Sequence, residues 1–208
     1  MSAQPNYLYT PQEYLSFERS APEKHEYFQG ELFTMAGASN NHNIISINII
    51  GSLRRKLQQQ GCRLYANDMR TRVSTSHYTY PDIVVVCGKP EFLDNAFDTL
   101  LNPVVIMEIL SDSTKEYDRT RKFDHYRSIP SLREYVLVEQ DMVRVERYSR
   151  IENPHVPPER TLWAFQAITT IEESLTLQSV DCTVPLTEIY EDIEFEERVA
   201  EQIEKQIF

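Results

Sequence analysis

The sequence predicts an α/β (α+β) fold with a central β-sheet flanked by helices, and three observations predict it. Two segments, "YPDIVVVCG" and "PVVIMEILS", are continuous apolar runs rather than alternating ones, the pattern of central strands covered on both faces. "NHNIISINIIGSLRRKLQQQG" reads as one long helix, apolar in its first half and basic and amide-rich in its second. "STKEYDRTRKFDHYRSIPS", directly after the second apolar run, carries Tyr117, Arg121 or Lys122, and Tyr126 at helical spacing. At 208 residues and 41% hydrophobic, the chain is long enough to bury a core, and its composition is that of a globular domain rather than a disordered one.

Taken in order, "TPQEYLSFE" offers Thr10 as an N-cap and Pro11 at the first helical position, so a short helix is expected. "KHEYFQGELFTMAG" alternates around Gly30 and predicts a hairpin. The long helix is capped by Asn40 and Asn41 and stops at Gly61. "CRLYANDMRTRV" predicts a strand ahead of the two central ones, and "KPEFLDNAFDTLLN" a polar connection of weak helical character between them. The following helix opens on Ser/Thr caps and ends near Pro130. "REYVLVEQDMVRVERYSR" predicts two strands joined by a tight turn at Gln140 and Asp141, and "TLWAFQAITT" and "SLTLQSVDCTVPL" add further C-terminal strands. Residues 1–190 therefore form one domain. The remainder, 191–208, predicts an acidic C-terminal helix whose Val199, Ile203 and Ile207 make a narrow apolar stripe, packed on its own domain or serving as a dimer contact.

No run approaches the roughly 20 apolar residues of a membrane helix, and the N-terminus has no basic-then-apolar leader pattern, so a cytoplasmic protein is expected. Cys62, Cys87 and Cys182 are far apart and form no CxxC or Cys/His cluster, which predicts buried free thiols rather than a disulfide framework or a zinc site. The net charge of -11 is local: residues 151–208 hold 3 Lys/Arg against 13 Asp/Glu, leaving 18 against 19 in residues 1–150. Within that near-neutral part, 42–72 is basic through Arg54, Arg55, Lys56, Arg63, Arg70 and Arg72 against Asp68 alone, and 113–133 is less strongly so. Such segments either bind phosphates or are solvated faces.

Two carboxylates carry the chemical argument. Asp82, after Pro81 at the mouth of an apolar strand, is a solvated cap or one arm of a site. Glu108, inside "VVIMEIL", would be buried, and a buried carboxylate is costly without a metal or a cation. If the two strands pair antiparallel, Asp82 and Glu108 converge, and two carboxylates so placed repel unless a divalent cation lies between them. The cation would activate water or polarise a phosphoryl oxygen. Lys122 supplies a positive group from the next helix, with Tyr126 one turn further on the same face. A structural salt bridge from Glu108 to Lys122 or an arginine is the alternative.

"YPD", then "VVIMEILSDST", then "DRTRKFDHYRSIPSLREYVLVEQ", supported upstream by "GELFTMAG", "NHNIISINIIGSL" and "MRTRV", resembles the Uma-two family of predicted endonucleases within the PD-(D/E)xK superfamily. The resemblance spans roughly Tyr9 to Arg150. It implies a restriction-endonuclease-like core, with a mixed central sheet flanked by helices, that uses Mg2+, or Mn2+ as a substitute, to hydrolyse phosphodiesters. Asp82 matches the aspartate of the "PD" half-motif and Glu108 the acid of the second half-motif, with the carbonyl of Ile109 a further metal ligand. Leu110 stands where the superfamily has lysine, and Lys122 is the migrated replacement. Glu31, in preference to Glu26, corresponds to an extra acid at the metal, and His42 faces the same cleft.

The expected partner is nucleic acid, foremost DNA, with phosphates along His42, Arg54, Arg55, Lys56, Arg70 and Arg72, and the expected assembly is a homodimer. No helix reads as a base-contacting element, so sequence-specific cleavage is not expected. Leu110 and the acidic tail motivate a second reading, a catalytically inactive module that binds nucleic acid or oligomerises. A hydrolase of small phosphoesters is a third.

Overall fold

A computed structural model describes residues 7–112, 114–152 and 161–195. The chain opens with helix α1 (Pro11–Glu18), started by a capping box in which Thr10 accepts from the Glu13 amide while the Glu13 carboxylate accepts from the Thr10 amide. Strands β1 (His25–Phe28) and β2 (Glu31–Thr34) form the predicted hairpin, its turn made by Gln29 and Gly30 at positive φ. Helix α2 (Asn40–Gln59) buries Ile45, Ile49, Leu53 and Leu57 at four-residue spacing. Its N-cap is Ser39 rather than Asn40 or Asn41. The Asn41 amide instead donates to the carbonyls of Gln140 and Glu194, which ties the helix start to distant loops.

The stretch expected to be one strand is two, β3 (Cys62–Ala66) and β4 (Arg70–Ser74), and they belong to different sheets. Asn67 and Asp68, turn formers, break it. β5 (His77–Thr79) and β6 (Ile83–Cys87) follow. The polar connection after β6 carries no helix, and its end forms the short strand β7 (Thr99–Leu100). Next come β8 (Val105–Leu110), α3 (Lys115–Tyr117), a π-helical turn over Asp118–Lys122, and α4 (Phe123–Tyr126). Strands β9 (Glu134–Glu139), β10 (Val145–Ile151), β11 (Leu162–Ile168), β12 (Ser174–Leu177) and β13 (Cys182–Pro185) and a short helix α5 (Leu186–Ile189) complete the described chain. The apolar stripe of Val199, Ile203 and Ile207 lies outside the described residues.

The six-stranded sheet runs β11-β10-β9-β8-β6-β3, with β8 and β9 parallel and the other neighbours antiparallel, so it is mixed. Alternation along β8 divides its two faces. Val105, Met107 and Ile109 join Ile83, Val85, Val136 and the buried stripe of α2 in the main core, whereas Ile106 and Leu110 pack with Tyr126, Tyr135 and Leu137 under α4. Covering both faces is why these strands read as continuous apolar runs. Glu108 falls on the α4 face.

A second sheet, β2-β1-β5-β4-β7, stacks Tyr27 and Tyr78 against Tyr14 of α1 on one side. On its other side Phe28 and His77 meet the ring of His125 in α4.

The cysteines depart from expectation. Cys62 and Cys87 are directly opposite in the β3/β6 register and are joined as a disulfide, while Cys182 is a buried free thiol. Distance along the chain concealed a pairing that antiparallel register creates. Among the described residues, no helix is long and apolar enough to cross a membrane.

Candidate active site

β6 and β8 pair antiparallel with Ile83 opposite Met107, so the next position brings Asp82 opposite Glu108. The Asp82 amide lies 3.4 Å from Glu108 Oε2. Asp82 Oδ2 accepts from the amide of Ile109 at 2.8 Å and lies 3.1 Å from His42 Nε2. His42 is fixed by the first turn of α2. Its amide donates to Ser39 Oγ at 3.1 Å, and Ser39 in turn donates to Gln140 in the β9–β10 loop.

Lys122 reaches Glu108 from the π-helical turn. Its Nζ lies 2.9 Å from Glu108 Oε1, 3.2 Å from Asp118 Oδ1 and 3.9 Å from Glu26 Oε1. A π-turn inserts one residue into the helical repeat, and such insertions concentrate where a side chain is aimed at a site. Asp118 Oδ1 is buried and held by this ion pair rather than by an aligned hydrogen bond. The hydroxyl of Tyr126 donates to Glu108 Oε1 at 2.8 Å and lies 3.0 Å from Thr79 Oγ1.

Glu108 is 4% exposed and Lys122 8%. Burial pushes the Glu108 carboxyl up to about 8; the Lys122 ammonium opposes the shift, and the charges of Asp82 and Asp118 reinforce it. For Lys122, burial favours the neutral amine, but Glu108, Tyr126, Glu26 and Asp118 together outweigh it and hold the group well above its ordinary value. Lys122 is therefore an ammonium, suited to stabilising negative charge and not to abstracting a proton.

The other residues singled out from the sequence fall in different places. Glu31 is exposed on β2, an edge strand, and it is Glu26 on β1 that approaches Lys122. Arg70 is 2% exposed and consumed internally, paired with Asp98 at 2.9 Å and donating to Thr99 and Tyr80, so it is not a surface phosphate contact. Arg72 lies opposite Tyr78 on the face toward α1, not the face toward Lys122. Arg54, Arg55 and Lys56 are exposed, but they stand 12 to 14 residues along α2 from His42, which at the helical rise is about 18 Å or more beyond the residue that touches Asp82. Leu110 is buried with Tyr126 and Tyr135.

Asp118 was not among the residues singled out from the sequence; its i, i+4 spacing to Lys122 was the available signal. Thr79 gave none, because nothing local in "HYTYPD" shows that β5 passes beneath Tyr126.

The donor set suits a hard divalent cation. Asp82 and Glu108 with the Ile109 carbonyl are all oxygen, as magnesium prefers when it keeps part of its water shell. Among the described residues, no three His, Cys, Asp or Glu side chains form a ready-made cage. A site of two carboxylates and a main-chain carbonyl needs none.

A mixed sheet with two acids on adjacent antiparallel strands and a lysine arriving from the helix beyond defines a restriction-endonuclease-like fold. The crystal structure of a putative nuclease belonging to DUF820 from Anabaena variabilis ATCC 29413 superposes with a TM-score of 0.69 at 18% identity, covering 88% of this chain and 97% of that one. The chain belongs to the Uma2 family, described as putative restriction endonuclease, whose model matches residues 11–185. It is also similar to two proteins of Synechocystis sp. (strain ATCC 27184 / PCC 6803 / Kazusa). With uncharacterized protein sll1609 it is 39% identical over 145 residues, 69% of this chain and 82% of the relative. With uncharacterized protein slr1290 it is 36% identical over 142 residues, 68% and 74% of the two chains.

Proposed function

We propose that the protein is a Mg2+-dependent endonuclease that hydrolyses phosphodiester bonds in nucleic acid, with DNA the foremost substrate and Mn2+ a substitute metal. The observation that carries this reading is the surplus of acid at Lys122. Glu108, Asp118 and Glu26 approach the one ammonium, and Asp82 adjoins Glu108. A purely structural pair requires one carboxylate, and extra buried acids oppose folding unless they hold a proton, as Glu108 does in the metal-free protein, or a further cation is bound.

Asp82, Glu108 and the Ile109 carbonyl would hold the metal, which supplies water activation and charge neutralisation at phosphorus. The Ile109 amide and His42 keep Asp82 oriented. Tyr126 fixes Glu108 and, through it, the reach of Lys122. Lys122 neutralises charge developing on the phosphate oxygens, and Asp118 and Glu26 hold its ammonium in place. The inactive-module reading has one observation in its favour, the 2.9 Å Lys122–Glu108 ion pair, which is what a structural salt bridge looks like.

The two readings part on cleavage of supercoiled plasmid and single-stranded DNA with Mg2+ or Mn2+ at low salt. We expect turnover by wild type that folded Asp82→Ala and Lys122→Ala both abolish. Absent turnover, or turnover that survives Asp82→Ala, would leave the module reading. Homodimer formation, the remaining expectation, is tested by light scattering of the full chain against one truncated after residue 195.

A further inference from the structure

Resting on the nuclease reading above, we propose that the site takes single-stranded or locally unpaired nucleic acid, gripped by stacking of bases on Tyr117 and Phe33. Tyr117 immediately precedes Asp118 and is 37% exposed, with its hydroxyl in the field of Glu26, Lys122, Asp118 and Glu108. Phe33 is 49% exposed and lies directly opposite Glu26 in the β1/β2 register. Opposite residues in an antiparallel pair share a face, with Cβ atoms about 4.5–5.5 Å apart. Because Glu26 is also 3.9 Å from Lys122, Phe33 shares the hairpin face that carries the site's outermost acid. Two exposed rings therefore adjoin the charged cluster, one from the helix and one from the hairpin.

The depth of the site points the same way. Glu108 and Lys122 are both less than a tenth exposed, so the scissile phosphate must enter a recess. A duplex carries its phosphates on a stiff cylinder with a persistence length of about 50 nm, whereas a single strand bends into a recess at little cost. Duplex affinity also rests on neutralising several phosphates at once. Of the expected phosphate contacts, Arg70 is buried, Arg72 is on the face toward α1, His42 is engaged with Asp82, and Arg54, Arg55 and Lys56 are far along α2. Stacking on aromatic rings needs no such rail and tolerates any base.

The test is fluorescence anisotropy of a fluorescein-labelled DNA oligonucleotide, single-stranded or annealed to its complement, with chelator present to prevent turnover. Wild type should bind the single strand about tenfold or more tightly than the duplex. Tyr117→Ala and Phe33→Ala should each weaken single-strand binding about fivefold or more, with unchanged melting temperature, while Tyr117→Phe retains it. Duplex binding as tight as single-strand binding, or alanine variants that bind like wild type, would overturn the proposal and leave the nuclease reading intact. Single-strand binding that depends on both rings, without cleavage in any divalent metal, would uphold the proposal and defeat the nuclease reading. No binding of either form would overturn the proposal and leave the nuclease reading to the cleavage assay.

Discussion

Two of the ionic clusters among the described residues, one around Arg70 and one around Lys122, are built differently. Around Arg70, Asp98 lies at 2.9 Å, Thr99 and Tyr80 accept hydrogen bonds, and the rings of Tyr14 and Tyr80 lie beneath the guanidinium. Glu18 accepts from Tyr80 and from the His25 amide, and Arg19 pairs with both Asp94 and Asp98. Two guanidiniums thus meet Asp94 and Asp98, and the His25 ring adjoins Glu18. Around Lys122, a single ammonium meets Glu108, Asp118 and Glu26, with Asp82 and His42 alongside. The first cluster closes on itself and joins α1 to the five-stranded sheet. The second is left with surplus negative charge at the junction of two sheets and a π-turn. A buried charge with all its partners is structure; one with too many acids is a request for a cation.

The largest effect on stability should come from breaking the closed cluster. Arg70→Met leaves Asp98 with Arg19 as the remaining one of its two guanidinium partners, removes the donor that Thr99 and Tyr80 accept from, and should cost about 3 kcal/mol, read from urea denaturation. A loss under about 1 kcal/mol would show that the cluster is not a structural unit. The open cluster should behave in the opposite sense. Glu108 has its folded pKa raised from 4.5 to about 8, so between those values the folded state holds the proton more tightly than the unfolded chain. Metal-free protein should therefore be most stable below pH ~4.5 with respect to this group and should lose that contribution as pH rises through about 8. Glu108→Gln should flatten this part of the melting profile, and an unchanged slope would remove Glu108 as its source.

A smaller change is expected for Tyr126→Phe, which deletes one hydrogen bond to a carboxylate and should cost about 1–2 kcal/mol while also lowering cleavage. Smallest of all, Arg54→Ala and Arg55→Ala are exposed substitutions far from either cluster. They should change stability by less than about 0.5 kcal/mol and leave cleavage unaltered. Loss of cleavage in these variants would restore the basic half of α2 as a nucleic-acid surface.

Much of this was legible in the sequence where one physical signal dominated. Continuous apolar runs revealed the central strands, Thr10 as N-cap with Pro11 at the first helical position revealed α1, and a carboxylate inside "VVIMEIL" singled out Glu108. The readings that failed depended on register or on which face a side chain takes. Arg70 and Arg72 do share a face, as alternation requires, but which side of the sheet that face looks toward is a tertiary fact. Glu26 and Glu31 lie on the same hairpin, and only the packing of β1 against the π-helical turn and α4 selects Glu26. The Cys62–Cys87 bond is invisible until β3 and β6 are placed side by side. Asp118 was hidden among the charges of a basic helix, and the π-turn that aims Lys122 has no sequence signature that we could read.

On the reading proposed above, the acids around Lys122 form a divalent-cation site and those around Arg70 do not. Calorimetric titration of Mn2+ into metal-free wild type, Glu108→Gln and Asp98→Asn tests it most directly. Saturable binding by wild type is expected, with its loss in Glu108→Gln and its retention in folded Asp98→Asn. Binding that persists in Glu108→Gln, or that is absent from wild type, would contradict it.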